Sequence, residues 1–298
     1  MDKTEESKGK TSATTIDLKV LLCQLNAKMR DIAHNQERVA KSLENYSDKD
    51  KIDVVLFPEM VFTGYNFTDP ADIEKYCEEA GKGPTFEFLS KIASNLKAYV
   101  MCGYPEIFYD EKDGKKKHLY NSMYVIDREG KLKVNYRKHH LYETDEYWAE
   151  EGESFKAIEL ENTKGVKYKA ALAICMDINP RKFLDPSKFE LAEFCKQERI
   201  DAVFMSCAWL DSDVTRNDRE AIEDTIDYWL YRLFPLVNTP KKVQYDKKWA
   251  FFCANRVGKE GEKCVFTGSS CAVKVNPAEL IYALDKRKEG FIVAEVSI

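Results

Sequence analysis

The chain has 298 residues, of which 44% are hydrophobic and 33% charged, and its formal net charge is -5. This composition is typical of a globular protein with one large domain or two ordinary ones. The acidic balance argues against binding to nucleic acid or to an anionic membrane surface. No run approaches the roughly 18 consecutive apolar residues that a membrane span needs.

Nine cysteines are spread along the chain without a CxxC pair or a Cys/His cluster of metal-ligand spacing. Residues 1–15 are polar and lack the apolar core of a signal peptide. Free thiols in odd number are typical of a reducing compartment, so we predict a cytoplasmic protein. We also predict a disordered tail over residues 1–15 and a single domain over residues 16–298.

Strand and helix patterns alternate along the rest of the chain. The predicted strands cover residues 18–25, 54–57, 99–104, 121–127, 131–136, 170–174, 202–206, 249–254, 264–275, 280–283 and 291–296. The predicted helices cover residues 29–43, 72–79, 85–96, 189–197 and 221–234. Alternation favours helices packed outside sheets, and the hairpins argue against a purely parallel sheet. The sequence predicts an α/β domain with two mixed β-sheets between helix layers.

Three residues at predicted strand ends are candidates for catalysis, and the first is Cys175. The apolar run 170–174 delivers this cysteine to the turn-forming residues 176–180, which end in Pro180. A thiol at such a corner has backbone N–H groups nearby, as a nucleophile with an oxyanion hole requires. The alternative is an inert buried cysteine.

The second candidate is Glu59, directly after the predicted strand 54–57. The carboxyl end of a strand is where α/β folds place their sites. Its apolar neighbours should raise the pKa of Glu59, which suits a general base near neutral pH. The alternative is an exposed loop glutamate.

The third candidate is Lys138, which follows the predicted strand 131–136. A lysine here would stabilise an oxyanion or hold a nearby thiol as thiolate. His139 and His140 offer a Cys–His dyad as a second possible chemistry. The alternative for the whole basic run is a solvated face.

The order Pro58-Glu59, Arg137-Lys138 and Cys175-Met176 along the chain resembles the nitrilase, or carbon–nitrogen hydrolase, superfamily. The resemblance implies an αββα sandwich in which Cys175 is the nucleophile and Glu59 the general base. Lys138 and the backbone N–H of Met176 would then hold the oxyanion, with no metal or organic cofactor. Many members carry a second glutamate after the lysine, for which Glu146 is our first candidate and Glu143 our second.

Segments 63–67, 141–146, 175–180 and 205–210 further resemble the yeast-type N-terminal amidase branch. This resemblance implies hydrolysis of the side-chain amide of Asn or Gln at protein or peptide N-termini, in the Arg/N-degron route. Such a substrate carries a cationic α-amino group, which calls for a carboxylate in a narrow pocket.

For the carboxylate that would bind this α-amino group, we consider Asp145 and Asp177. For the pocket walls we consider Tyr65 and Trp209. Each of these residues has a structural alternative: Asp177 could close the turn after Cys175, and Trp209 could belong to the core.

Two competing functions remain open at this point. A small-molecule ω-amidase or N-carbamoyl amidohydrolase would bind a substrate carboxylate, for which the sequence offers Arg181 and Arg256. A catalytically dead interaction scaffold would need none of the three candidate residues. The segment 211–248 is predicted to be either a lid over the site or a solvated surface helix. We expect a monomer or a homodimer.

Overall fold

The computed structural model describes residues 15–114, 116–262 and 264–298, so the predicted tail lies almost entirely outside the described residues. The helices are α1 (Ile32–Leu43), α2 (Pro70–Ile73), α3 (Pro84–Leu96), α4 (Glu190–Glu198) and α5 (Asp218–Arg232). The strands are β1 (Asp17–Gln24), β2 (Val54–Leu56), β3 (Tyr99–Asp110), β4 (Lys116–Ile126), β5 (Leu132–Arg137), β6 (Lys156–Glu161), β7 (Lys167–Ile174), β8 (Ala202–Cys207), β9 (Trp249–Asn255), β10 (Val257–Glu260), β11 (Cys264–Thr267), β12 (Cys271–Val275), β13 (Glu279–Ala283) and β14 (Gly290–Ser297). None of the described helices is long and apolar enough to cross a membrane.

Two six-stranded mixed sheets form the centre of the fold. The first has the order β14-β1-β2-β3-β4-β5, and the second has the order β13-β12-β9-β8-β7-β6. In the first, β1, β2 and β3 are parallel and the outer pairs are antiparallel; in the second, β7, β8 and β9 are the parallel strands. The two sheets therefore share one pattern of strand directions. The sequence shows no obvious repeat, since a sheet needs only apolar positions at period two and not the same residues.

Alternation along the strands creates the layers. In the first sheet, Val20 and Val54 face the core between the sheets, while their neighbours Leu21 and Val55 pack with α1 and α3. Helices α4 and α5 pack against the second sheet through residues such as Cys195. This confirms the predicted αββα sandwich.

The element predictions differ from the structure in a few places with local causes. The predicted strand 264–275 is two strands, β11 and β12, because Gly268 and Ser269 both have φ 60° and break the extended backbone. Strands β6 and β10 were not predicted; β10 has only four residues and pairs only with β11. Strand β3 extends to Asp110, well beyond the predicted end at residue 104.

The three candidate residues lie at the ends of β2, β5 and β7. Glu59, after β2, is held in place by close backbone contacts on two sides. The backbone N–H of Glu59 donates to the Cys207 carbonyl of the other sheet at 3.3 Å. On the opposite side Gly103 of β3 lies so close that a Cβ there would be 2.6 Å from the Glu59 Cα and 2.9 Å from the Met60 nitrogen. The segment after β2 is therefore held between β3 and the second sheet.

Replacing Gly103 with alanine tests this close packing. We expect Gly103→Ala to lower the free energy of unfolding by about 3 kcal/mol, because both atoms that the methyl group meets are backbone atoms. Gly165→Ala is the control: its Cβ meets nothing within 4 Å, so only its positive φ of 82° opposes it, at about 1 kcal/mol. Urea unfolding measures both. Equal losses would contradict the packing argument.

Candidate active site

Cys175 lies on the corner that follows β7. A 3-10 turn, Cys175–Ile178, begins at this residue, and the Asp177 carboxylate closes the corner by accepting the backbone N–H of Ile174 at 2.8 Å. Cys175 has φ 42°, in the left-handed region that costs a residue with a side chain about 1–3 kcal/mol. The residue is only 8% exposed and lines a cavity. The strained corner therefore places the nucleophile candidate at the cavity wall.

Glu59 follows β2 and is fully buried. Its Oε1 accepts hydrogen bonds from Asn121 Nδ2 and Lys138 Nζ, each at 2.7 Å. Its Oε2 accepts the backbone N–H of Ala208, after β8, at 2.8 Å. Met60, the next residue, has φ 52° and turns the chain sharply away. Donors from three separate segments thus fix both oxygens of the carboxylate.

Lys138 follows β5 and lies between two carboxylates. Its Nζ donates to Glu59 Oε1 at 2.7 Å and to Asp145 Oδ2 at 2.5 Å. Asn121 Nδ2 also donates to Asp145 Oδ1, at 2.9 Å. All four side chains are buried. With two carboxylates and one ammonium, this catalytic cluster of Glu59, Asn121, Lys138 and Asp145 carries a net charge of -1 when all three groups are ionised.

Burial and mutual charge set the protonation states of the site. Burial raises the pKa of Glu59, against the attraction of the Lys138 ammonium. Burial also opposes the charge on Lys138, but Asp145 and Glu59 outweigh it and raise the pKa of Lys138 well above its ordinary value. The adjacent Cys207 thiol, burial and the Glu59 charge raise the pKa of Cys175 well above its ordinary range. The shift of Cys175 favours a protonated thiol at rest, because the lowering effect of the Lys138 ammonium on its pKa is outweighed.

A cavity of about 280 Å³ opens over Cys175. Tyr65 and Trp209, the residues considered for the pocket walls, line it together with Met176. The Lys138 ammonium lies 5.9 Å from the centre of the Tyr65 ring, so the catalytic cluster is close behind this wall. Among the described residues, those that line the cavity are uncharged. The described part of the chain also holds no group of three or more His, Cys, Asp or Glu side chains placed to bind a metal ion.

Comparison with protein families identifies this arrangement. A family model described as carbon-nitrogen hydrolase matches residues 19–183, more than half of the chain, including all three strand-end motifs. The chain belongs to the carbon–nitrogen hydrolase family. The membership that Glu59, Lys138 and Cys175 predicted is thereby confirmed.

Two relatives within this carbon–nitrogen hydrolase family share one name. The protein N-terminal amidase of Schizosaccharomyces pombe is 30% identical over 291 residues, which are 92% of this chain and 97% of that protein. The protein N-terminal amidase of Saccharomyces cerevisiae is 33% identical over 215 residues, which are 66% of this chain. The aligned region spans 46% of that longer protein.

Solved structures confirm the fold. A crystal structure of N-terminal amidase superposes with a TM-score of 0.81 at 23% identity, and the match covers 95% of this chain and 98% of that one. Crystal structures of N-terminal amidase with an Asn-Glu peptide and with a Gln-Gly peptide give the same TM-score. The αββα fold is therefore shared over nearly the whole length of this chain.

The second carboxylate beside the lysine is Asp145, which the sequence analysis considered for the substrate amine. Glu146, expected in this position, instead pairs with Lys182 at 2.8 Å and has a side chain 41% exposed. Glu143, the second candidate, is exposed. Asp145 lies at the start of a 3-10 turn, and the backbone N–H of Tyr142 also donates to its Oδ2 at 3.0 Å. Asp145 is therefore part of the catalytic cluster.

Asp177, the other residue considered for the substrate amine, is occupied by internal partners. It accepts hydrogen bonds from the Tyr136 hydroxyl at 2.7 Å and from the backbone N–H groups of His139 and His140 at 3.0 and 2.8 Å. With the bond from Ile174 this makes four, and Asp177 is fully buried outside the cavity lining. Asp177 thus makes the contacts of a residue that closes the turn after Cys175, and it holds the segment after Lys138 against that turn.

The two histidines and the two arginines of the competing hypotheses also have internal partners. The Nδ1 atoms of His139 and His140 lie 2.7 and 2.9 Å from backbone carbonyl oxygens. Arg181 pairs with Glu151 at the surface, and Arg256 pairs with a buried carboxylate near the Tyr65 backbone. Since none of the four lines the cavity, the geometry favours neither a Cys–His dyad nor a substrate carboxylate on either arginine.

The segment 211–248 contributes both to the cavity wall and to the hydrophobic core. Ser212 lines the cavity with the preceding Trp209 and Leu210. Helix α5 is not a solvated surface helix throughout, because Ile226 and Trp229 on one of its faces are buried in the main core.

Sequence reasoning missed Asn121, which bridges Glu59 and Asp145. A signal was available: Asn121 and Ser122 are two polar residues in the middle of β4, directly before the apolar run 123–126, and both are fully buried. Asparagine is depleted in strands, so this local conflict is typical of a functional position.

The charge on Glu59 should control the titration of Cys175. Because the Cys207 thiol, burial and the Glu59 charge together raise the pKa of Cys175, Glu59→Gln should move the pH midpoint of Cys175 alkylation downward from a wild-type midpoint well above the ordinary range of a cysteine. Iodoacetamide labelling at several pH values, read by peptide mass spectrometry, measures the midpoint.

Cys264 serves as the internal control in the same samples. It is only partly buried, and burial and Glu260 raise its pKa, so Glu59→Gln should leave its midpoint in place. A wild-type midpoint for Cys175 at or below neutral pH would contradict the protonated resting thiol.

Proposed function

We propose that this protein hydrolyses the side-chain amide of an N-terminal Asn or Gln in a protein or peptide, releasing ammonia and leaving Asp or Glu. The single observation that carries the reaction type is the buried contact between Glu59 and Lys138 beside the Cys175 corner. The substrate class is supported by the S. pombe relative, which is called a protein N-terminal amidase and is matched over 97% of its length.

The first half of the reaction forms a thioester. As the Cys175 sulfur attacks the amide carbon, its proton passes to Glu59, whose raised pKa makes it an effective acceptor. The Lys138 ammonium and the backbone N–H of Met176 stabilise the oxyanion. Glu59 then gives its proton to the leaving nitrogen, the C–N bond breaks, and ammonia departs.

The second half releases the product. Water enters beside Glu59, which takes one of its protons while the oxygen attacks the thioester carbon. The C–S bond breaks, and the proton returns from Glu59 to the Cys175 sulfur. One water molecule is consumed, and the carboxylic acid of the product replaces the amide. Asp145 and Asn121 position Lys138 and Glu59 throughout.

Charge at the site supports a cationic substrate. The cavity lining that the structure describes is uncharged, and behind its Tyr65 wall lies the catalytic cluster, whose net charge is -1 when its three ionisable groups are charged. An α-ammonium group is attracted by this charge and an α-carboxylate is repelled. The small-molecule amidase alternative would bind a carboxylate without a cationic partner on the described cavity wall.

The proposed function also bears on where in the cell the protein acts. All nine cysteines are free in the structure, which supports a reducing, cytoplasmic compartment. In that compartment the product, an N-terminal Asp or Glu, would enter the Arg/N-degron route. A monomer or a homodimer remains our expectation for the oligomeric state.

Ammonia release from short peptides tests the function. We expect release from peptides beginning with Gln or Asn and a free amine, at least 100-fold faster than from their N-acetylated counterparts, from free glutamine or from a 2-oxo acid amide. Cys175→Ala should abolish release because the nucleophile is lost. Cys264→Ala, which changes a partly buried thiol outside the cavity lining, should retain it.

Each other outcome has a defined meaning. Release from free small amides alone would keep the catalytic cluster and assign the protein to small-molecule amidases. No release from any substrate would contradict the enzyme and favour an interaction scaffold.

A further inference from the structure

A second cavity, of about 310 Å³, adjoins the active-site cavity. Trp209 and Ser212 line both, so the segment 209–212 is their common border. The other side of the second cavity is formed by α5 and the segment before it, which contribute Arg216, Asp224 and Tyr228. A ligand that fills the first cavity therefore has beside it a second cavity whose wall carries charged side chains.

The border between the cavities is firmly held. Asp211 and Lys286 form an ion pair at 2.8 Å whose side chains are 5% and 1% exposed, and Lys286 also donates to the Asp213 carbonyl at 3.1 Å. Across the cavity, the Tyr228 hydroxyl donates to Asn179 Oδ1 at 2.6 Å, which ties α5 to the corner after Cys175. These contacts fix the position of the second cavity relative to the nucleophile.

A peptide substrate, as proposed above, needs such a neighbouring space. Its first side chain must reach Cys175, so the first residue occupies the smaller cavity. One residue of extended chain advances about 3.3–3.6 Å, so the second residue lies near the border at Trp209 and Ser212. On the basis of the proposed function, we propose that the second cavity binds the side chain of the second residue, and that the neutral Arg216–Asp224 pair lets it accept acidic and basic side chains alike.

Arg216 and Asp224 suit this role because they are paired yet accessible. Arg216 Nη1 and Asp224 Oδ2 form an ion pair, and the two side chains are 41% and 55% exposed. The intact pair is neutral and discriminates little between acidic and basic second residues. Loss of one partner leaves the other as an unpaired charge in the wall of the second cavity. Asp211, in contrast, is already neutralised by Lys286.

The test compares two peptides that differ only in their second residue, Gln-Lys-Ala and Gln-Glu-Ala. Arg216→Gln leaves Asp224 unbalanced and should raise the kcat/KM ratio of the lysine peptide to the glutamate peptide by about two- to five-fold. Asp224→Asn leaves Arg216 unbalanced and should lower the same ratio by about two- to five-fold. General damage to the site would not move the two variants in opposite directions.

Arg219→Gln is the matched control. Arg219 is on the same helix and pairs with Glu223 at 3.1 Å, but it is 87% exposed and lines neither cavity. Its substitution removes the same charge and should leave the ratio unchanged. Both peptides are measured on one preparation of each variant, so the ratio does not depend on the active fraction.

The outcomes separate this inference from the proposed function. If the wild-type protein releases ammonia from neither peptide, the proposed function fails and the inference fails with it. If the wild-type protein turns over both peptides but the ratio stays constant or moves in the same direction in both variants, the function stands and the second-residue site is overturned.

Discussion

The buried ammonium of Lys138 between Glu59 and Asp145 is the interaction on which the rest of the site depends. A buried ion pair gives little net stability, because desolvation of the charges offsets their attraction, but removal of one partner leaves an uncompensated charge. The three side chains come from the ends of β2 and β5 and from the turn after β5, and because β3 and β4 lie between these strands, the pairing of β2 to β5 sets their positions. Asn121 then joins both carboxylates and fixes their spacing.

The second sheet contributes Cys175 and a backbone donor that holds Glu59. Cys175 follows β7, and the Ala208 N–H that holds Glu59 follows β8, the parallel neighbour of β7. The positive φ values at Met60 and Cys175 show that the chain is strained on both sides of the interface between the sheets. The Cys207 thiol, burial and the Glu59 charge raise the pKa of Cys175, so in the proposed mechanism the attack of the sulfur is coupled to proton transfer to Glu59. In the proposed mechanism, the interface between the sheets thus supplies both the nucleophile and its proton acceptor.

Much of this could be predicted from the sequence, for a physical reason. Glu59, Lys138 and Cys175 each follow a predicted strand, and strand ends are local features that apolar runs and turn residues reveal. The αββα layers likewise follow from the alternation of strand and helix patterns.

What the sequence could not predict are contacts between distant segments. Asp177 is a carboxylate two residues after Cys175, a position that suggests substrate binding. Its four hydrogen-bond donors instead occupy it from within the protein, and three of them lie on β5 or the segment after it, about 40 residues away. Asp145 and Glu146 are adjacent and chemically alike. Only the turn that begins at Asp145 decides which of them points to Lys138 and which to the surface. The sequence also could not predict which face of α5 is buried, because packing against the second sheet decides it.

Direct detection of the thioester would test the central claim, that Cys175 carries the acyl group while Glu59 moves the protons. The wild-type protein would be mixed with a Gln peptide, quenched in acid within milliseconds, digested and analysed by mass spectrometry. Our account predicts an adduct on the peptide that contains Cys175, with the mass of the Gln peptide less one ammonia, which disappears as ammonia release is completed. Ammonia release without any adduct on Cys175, or with an adduct on another residue, would contradict it.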